Sequence, residues 1–385
     1  MKNVNEHVSY TNMDNASVEI VDLEVPAEGY YYDFKKIRYQ YPDEYIFFIV
    51  GGRSTGKTYS TLKFCLENKH KFVFVKRNKD DVKTLCAGAS KSKKVDVNIS
   101  PFEAINRDMN INIQCIMLDA EIGLAAAFMC DEENTPIGDP VAYFVALSMV
   151  HKVKGFEMSQ CDYIIFDEFI PEPWERINRS EGDACTELYK TVSRDREHKG
   201  KDPVTMVFLA NATRAVCPIT SFYEVTDTLV MMDIMNEEIH KMEDRSIVIQ
   251  RLKASDEFIE KETQSPIYKA MKGTAWADMA LGNHFAYDDF TCVQKQSLKG
   301  YRPKVKLQYR SKTWYVYESD TDLYMCHSRT FQKIPDYNLN REIEQKRFFY
   351  DCELDLRNAT IEGRMKFELY TMYDLIVNYR QIFKI

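Results

Sequence analysis

The 385-residue sequence predicts an α/β fold: a mainly parallel β-sheet with helices on both faces. Three observations predict it. Residues 45–58 read YIFFIVGGRSTGKT, an apolar strand running into a glycine-rich loop. Residues 161–171 read CDYIIFDEFIP, an apolar strand ending in two carboxylates. Between and after them, apolar runs of strand length alternate with helical patterns, and polar residues gather at the C-terminal ends of the strands. Runs this continuous suit strands buried on both faces, as in parallel sheets whose crossovers are helices.

A chain of this length suits two or three domains. Hydrophobic residues make up 45%, ample for a core. No apolar run approaches the ~20 residues that cross a bilayer, so no membrane partner is expected. The N-terminal MKNVNEHVSYTNMDN lacks the apolar centre of a signal peptide, which predicts a cytoplasmic protein. The ten cysteines include no C-x-x-C pair and no Cys/His cluster, so buried, reduced thiols are expected. A net charge of −8 argues against a surface coated with positive charge for nucleic acid. A few well-placed Lys or Arg would still suffice for phosphate contacts.

Taken in order, residues 1–29 form an extension in which SVEIVDLEV (17–25) alternates as a strand does. The aromatic and basic YYYDFKKIRYQYPDEY (30–45) then packs either on a nucleotide base or on the sheet edge. Gly51, Gly52, Arg53, Ser54, Thr55, Gly56, Lys57 and Thr58 match G-x-x-x-x-G-K-[ST], the Walker A or P-loop pattern. The chemistry needs these types. Glycines let backbone N–H groups close around phosphate oxygens, the lysine reaches the outer phosphates, and the threonine hydroxyl helps hold Mg²⁺. TYSTLKFCLENK (58–69) has a helical pattern and would set its positive N-terminus on the phosphates.

KFVFVKRNKDDVKTL (71–85) reads as a second strand, residues 72–76, then a basic turn. Asn78, Lys79, Asp80 and Asp81 fit the guanine-reading N-K-x-D pattern only formally, because they lie too close to the P-loop. KSKK (91–94) is a second basic segment. Residues 95–150 hold INIQCIML and VAYFVALSMV on either side of the turn-forming DEENTPIGDP, which predicts added strands or a hairpin. CDYIIFDEFIP has the Walker B arrangement. Asp167 would bind Mg²⁺ through water, and Glu168 would orient and deprotonate the attacking water. ACTELYKTVSRDREHKGKD (184–202) is helical with a basic tail carrying Arg194 and Arg196. PVTMVFLANATR (203–214) is another buried strand, and Asn211 at its end either senses the γ-phosphate or caps the next turn.

This P-loop domain is expected over 30–228. Residues 229–285 are charged and Met-rich with helical spacing, which predicts a helical linker. Over 286–385 an α+β domain is expected. RPKVKLQYR, TWYVYES and DLYMCHS alternate like antiparallel strands, and MKFELYTMYDLIVNYRQIFKI has the spacing of a terminal helix. KGYRPKVKLQYRSK (299–312), basic and interleaved with Tyr, is the best nucleic-acid-facing stretch outside the first domain.

GGRSTGKT, VKRNK, IIFDEFIPE, TVSRDRE and FLANA, in this order, resemble the phi29-type phage DNA packaging ATPases, compact relatives of terminase large subunits. KGTAWADMALGNHFAYDD (272–289) extends the resemblance, which covers most of the chain from about Tyr31. It implies a P-loop NTPase of the additional-strand (ASCE) class. It also implies a homopentameric ring motor that uses ATP and Mg²⁺ to pump double-stranded DNA into a prohead in the host cytoplasm. Thr58 and Asp167 would hold the metal, Lys57 the phosphates, and Glu168 would be the base. Arg194 would be an arginine finger donated to the neighbouring subunit's ATP, with Lys154 a second basic residue acting in trans. Lys79 would contact DNA on the basic turn, beside Lys76 and Arg77. The C-terminal domain would be a vestigial ribonuclease-H-like fold, without its nuclease acids, docking on the prohead's portal and packaging RNA. Charge spreading over the γ-phosphate in the transition state independently favours such an arginine, which accelerates hydrolysis about 10³–10⁵-fold in comparable systems. Arg196 is the alternative donor, since residues two apart on a helix point in different directions. Arg53 is another phosphate-side candidate. The insert at 95–150 is longer than the family suggests.

Two other readings compete. A terminase-like enzyme that also cuts DNA needs several acids around two metals, for which Asp320, Asp322, Glu353 and Asp355 are available without a telling spacing. A P-loop nucleotide switch or kinase is disfavoured by Glu168 directly after Asp167.

Overall fold

The run IFFIVG forms strand β1 (Ile46–Gly51), buried over nearly its whole length. The computed structural model describes residues 31–86, 100–172, 174, 175, 177–194, 196–274, 277, 285 and 287–385. The strand expected at 17–25 and the basic segment at 91–94 lie outside these. Helix α1 (Phe34–Gln40) precedes β1, with the Asp33 side chain accepting from the Lys35 N–H at 3.0 Å as its N-cap. After the glycine-rich loop come α2 (Lys57–Glu67), β2 (Phe72–Lys76), α3 (Lys79–Leu85) and α4 (Glu103–Met109). Then follow β3 (Ile113–Asp119), β4 (Leu124–Met129), β5 (Ala142–Ala146), α5 (Val150–Val153), β6 (Tyr163–Asp167), α6 (Glu181–Ser193) and β7 (Thr205–Asn211). Helices α7 (Pro218–Phe222) and α8 (Thr226–Met235), strands β8 (Ile239–Met242) and β9 (Ile247–Arg251), and helices α9 (Asp256–Gln264) and α10 (Pro266–Ala270) complete the first unit.

The nine strands form one sheet in the order β3-β4-β5-β2-β6-β7-β1-β9-β8. From β5 across to β9 every neighbouring pair is parallel. Antiparallel strands close both edges, β3 and β4 on one side and β8 on the other. Strand β7 lies between β1, which carries the loop, and β6, which carries the two carboxylates. Alternate side chains of β1 enter two separate cores. Phe48 and Val50 join residues of α6, α7 and α8, while Phe47 and Ile49 join residues of α1 and α2. Phe48 stacks on Phe208 of β7 with ring centroids 4.5 Å apart. Burying each such side chain contributes roughly 1.5–3 kcal/mol, which holds the two strand ends in fixed register.

Two sequence expectations need correction here. The segment 229–285, read as a helical linker, carries β8 and β9, so the large sheet continues past residue 228. A strand as short as IVIQR is stabilised by pairing with β1, and its charged flanks conceal it. In the 95–150 insert the unread strand is β4, LAAAFM, whose alanines lack the β-branched signature of a strand.

A second, five-stranded sheet has the order β13-β10-β11-β12-β14. Its strands are β10 (Arg302–Tyr309), β11 (Lys312–Glu318), β12 (Leu323–Cys326), β13 (Asp336–Asn338) and β14 (Met365–Phe367). Helices α11 (Glu342–Phe348), α12 (Leu354–Ile361), α13 (Tyr370–Val377) and α14 (Tyr379–Phe383) accompany it, with a π-helical turn at Phe349–Glu353. The terminal helix expected from residue 365 therefore begins as a strand and breaks at Asn378. The basic stretch 299–312 is largely engaged within the protein. Lys304 pairs with Glu318, Lys306 with Asp336 at 2.7 Å, and the Arg310 guanidinium donates to the Ser221 carbonyl at 2.7 Å. Lys299 and Arg302 of the same stretch are exposed.

The two sheets are joined by part-buried polar contacts. Asp288 accepts from the Ala215 N–H at 2.6 Å and from the Tyr370 hydroxyl at 3.0 Å. Asp227 of α8 accepts from the Thr371 N–H at 2.9 Å and its hydroxyl at 2.7 Å. Helix α13 is thereby fixed to the loop that leaves β7.

Candidate active site

Strands β2, β6, β7 and β1 are parallel neighbours, so their carboxyl ends meet at one edge of the sheet, where ligands of open α/β sheets bind. Gly51 lies opposite Asn211, and Asp167 opposite Leu209. Gly56 stands directly before α2 at φ +84°, a left-handed conformation that a side chain resists. A Cβ on Gly51 would stand 2.8 Å from Cβ of Leu252, so the residue after β9 packs against the loop's base only because position 51 is glycine. No side chain caps the N-terminus of α2. A cavity of about 190 Å³ opens there, lined by residues 54–58 on one side and by Asp167, Glu168 and Asn211 on the other.

Lys57 is 8% exposed. Its Nζ donates to the Gly52 carbonyl at 2.5 Å, the Gly51 carbonyl at 3.3 Å, the Thr55 hydroxyl at 3.3 Å and Asn211 Oδ1 at 3.2 Å. These partners are neutral. Burial pulls the Lys57 pKa down to about 8, only partly opposed by the Asp167 carboxylate. A buried ammonium held by neutral oxygens is a site that an anion completes. The Thr58 hydroxyl donates to Asp167 Oδ1 at 2.8 Å. Among the described residues no group of three or more His, Cys, Asp or Glu could hold a metal unaided. Thr58 and Asp167 nevertheless fit Mg²⁺, which takes one or two protein oxygens and completes its shell with water and phosphate.

Glu168 follows β6 at φ +59°, a conformation non-glycine residues adopt at a cost, and its side chain is 64% exposed. The chain then returns to the sheet, with the Phe169 N–H donating to the Leu209 carbonyl at 3.1 Å. Lys76 and Arg77, read as DNA-contacting residues, both point inward. Lys76 Nζ bonds Asp167 Oδ2 at 2.9 Å and Glu168 Oε2 at 3.0 Å. Burial alone would lower its pKa, but the two carboxylates outweigh burial and raise it. Arg77 is 6% exposed. It donates to Glu181 at 2.9 Å, Glu175 at 3.0 Å, and the carbonyls of Glu168 at 3.1 Å and Phe169 at 2.9 Å. It is a positioning residue for the Glu168 turn. Its place at the end of β2, one strand from β6, is the signal that could have revealed this. Arg77→Ala would strand the buried Glu181 carboxylate, so denaturant unfolding is expected to show a loss of about 3–5 kcal/mol. Lys79, the first residue of α3, is exposed.

The two candidate fingers separate cleanly. Arg196 is 6% exposed and donates to the carbonyls of Asp202 at 2.6 Å, Cys161 at 2.8 Å and Ser159 at 3.2 Å, besides pairing with Asp162. It holds the chain around the start of β6. Arg194, at the C-cap of α6, lies at the surface. It bonds Glu157 at 3.0 Å and the Lys154 carbonyl at 2.8 Å. The Lys154 ammonium is half exposed and pairs with Glu187 at 2.7 Å. Arg194 and Lys154 are thus adjacent, and neither lines the cavity of its own chain. Arg53 pairs with Glu172 and is not among the residues that line the cavity.

A family model described as podovirus DNA encapsidation protein (Gp16) matches residues 136–339, more than half of the chain. Among curated proteins there is no match. A solved structure titled "The bacteriophage Phi-29 viral genome packaging motor assembly" is similar at TM-score 0.61 and 18% identity, over 92% of this chain and 99% of that one. Another, "The Phi-28 gp11 DNA packaging Motor", is similar at TM-score 0.59 and 18% identity, over 92% of this chain and 98% of that one. At such identity these likenesses speak to the fold.

Proposed function

The chain belongs to the family of podovirus DNA encapsidation proteins (Gp16), and on that premise we propose that it is an ATP-driven motor moving double-stranded DNA into a prohead. One observation carries the reading: Lys57, Thr58, Asp167, Glu168 and Asn211 converge on one cavity from the start of α2 and the ends of β6 and β7, while the half-buried Arg194 and the exposed Lys154 lie outside it. The strand β7 between β1 and β6 supports an additional-strand P-loop domain, extending from about residue 30 through β9.

In this reading Lys57 and the loop N–H groups bind the β- and γ-phosphates. Mg²⁺ on Thr58 and Asp167 supplies neutralisation of phosphate charge when bound. Glu168 orients a water and accepts its proton. The water oxygen forms a bond to the γ-phosphorus as the bond to the β,γ-bridging oxygen breaks, and ADP carries that oxygen away. Asn211, bonded to Lys57, stands where the γ-phosphate can be sensed. Lys76 holds the Glu168 carboxylate at the cavity until nucleotide draws it inward. Arg194, with Lys154, completes the neighbouring subunit's site in a ring, which we take as a homopentamer. Lys79 touches DNA, and the C-terminal domain, a vestigial ribonuclease-H-like unit, docks on the portal and a packaging RNA in the host cytoplasm. Active DNA cutting is favoured by no observation. Glu353 is buried between Arg357 and Arg380, and Asp320 stands fully in solvent.

Two measurements test this. Purified protein with proheads and ATP is expected to render DNA resistant to added nuclease, and Lys57→Ala is expected to abolish both this and ATP binding. Unprotected DNA with active proheads would contradict the motor. The second is a pH profile. Bound triphosphate favours the Lys57 ammonium, so binding takes up a proton wherever the free site has lost it. ATP affinity is therefore expected to hold steady below pH 8 and to weaken above it, by up to about tenfold per pH unit. A flat calorimetric profile through this range would contradict that role.

A further inference from the structure

A second cavity, of about 160 Å³, lies on the other side of the loop. Thr55 lines both cavities. Tyr31 and Tyr32 form one wall of the second cavity, and Gln250 of β9 with Leu252 just after it form another. The Tyr32 N–H donates to the Thr55 carbonyl at 2.9 Å, and the Leu252 N–H donates to the Val50 carbonyl at 2.8 Å. Both walls are therefore anchored to the phosphate-side loop and its strand. Val248 and Leu252 belong to the apolar core beneath α1 and α2, and Gln250 alternates with them on that same face of β9. An amide there is out of character with its neighbours.

Its environment leaves it incomplete. Gln250 Oε1 and the Tyr32 hydroxyl are both buried and both lack a hydrogen-bond partner. The charged residues that line the cavity are paired, Lys253 with Glu238 at 2.9 Å and the buried Arg251 with Asp233. Buried polar atoms in native proteins are nearly always satisfied, so two orphans on residues lining one cavity mark a place for polar atoms of a ligand. An amide acceptor and a phenol between apolar residues suit the edge of a planar heterocycle, and Gln is a residue that pairs with adenine through its amino group and adjacent ring nitrogen.

We propose that this cavity is the base pocket of the nucleotide, with Gln250 Oε1 accepting a hydrogen bond from the exocyclic amino group of adenine. The proposal rests on the ATPase reading above and adds to it the residue that selects the base. Tyr32 supports the ring and offers its hydroxyl to a ring nitrogen.

The test is equilibrium binding of β,γ-imido triphosphates to the full chain. The ligands are the adenosine form and the purine riboside form, which lacks only the amino group. Wild type is expected to prefer the adenosine form roughly 10- to 100-fold. Gln250→Ala and the near-isosteric Gln250→Met are expected to bind the two forms within about threefold of each other, the cycle isolating the amino–amide contact. Both variants remove an unsatisfied buried acceptor, so thermal stability is expected to hold. Wild-type preference that survives in both variants overturns the assignment of Gln250 and leaves the ATPase reading intact. Failure of the wild type to bind either triphosphate overturns both.

Discussion

Glu168→Gln is expected to stop turnover while ATP still binds. The substitution keeps the shape of the side chain and removes its charge and its capacity to take a proton. General-base catalysis is worth typically 10²–10⁴-fold, and a fall of about that size in kcat is the expected result. The fold should be indifferent. The Glu168 side chain is 64% exposed, its pairing with Lys76 is one of two that Lys76 makes, and Asp167 retains the other. The strained backbone at φ +59° is held by Arg77 through two carbonyls, which the substitution does not touch. Single-turnover hydrolysis beside nucleotide titration separates the outcomes. Slow turnover with normal affinity assigns Glu168 the base, and normal turnover removes it from the chemistry.

Arg194→Ala carries the second large effect, and it depends on assembly. An arginine finger contributes about 10³–10⁵-fold to phosphoryl transfer. A loss of that order is expected in rings assembled on proheads, with ATP affinity of the single subunit unchanged. Stability should move little, because the Arg194–Glu157 pair is exposed and such pairs contribute at most about 1 kcal/mol. Arg196→Ala gives the contrasting result. It removes the partner of Asp162 and of three carbonyls in a buried setting, so it is expected to unfold the protein at markedly lower denaturant rather than to act selectively on turnover. A variant pair two residues apart with opposite phenotypes would follow directly from their surroundings.

Much of this site is legible in the residues because its chemistry is local. The loop from Gly51 to Thr58 and the strand ending in Asp167 and Glu168 announce themselves, since phosphate cradling and a buried strand each demand fixed residue types in sequence. What is not legible depends on partners brought from elsewhere. Lys76 and Arg77 follow an apolar strand and look like a basic turn. Only the neighbouring β6 and the carboxylates of Glu175 and Glu181 turn them inward. Strand β9 is concealed for the same reason. Its five residues have little pattern of their own, and their burial comes from β1. The choice between Arg194 and Arg196 could not be made from spacing, because the distinction lies in the carbonyls that surround Arg196. Likewise the basic stretch 299–312 attracts attention as isolated sequence, whereas acids and a carbonyl from other segments engage several of its charges.

The central claim is that one subunit's pocket is finished by the next subunit's Arg194. Mixing Glu168→Gln subunits with Arg194→Ala subunits on proheads tests it most directly. Each variant alone is inactive, for different halves of the site. In a mixed ring, a pocket from an Arg194→Ala subunit that faces a Glu168→Gln neighbour holds both intact groups. The head-to-tail interface of a ring makes such pairings in roughly a quarter of positions at equal mixing, so ATPase activity should reappear at about that fraction of wild type. Mixtures no more active than the separate variants would contradict completion of the site in trans.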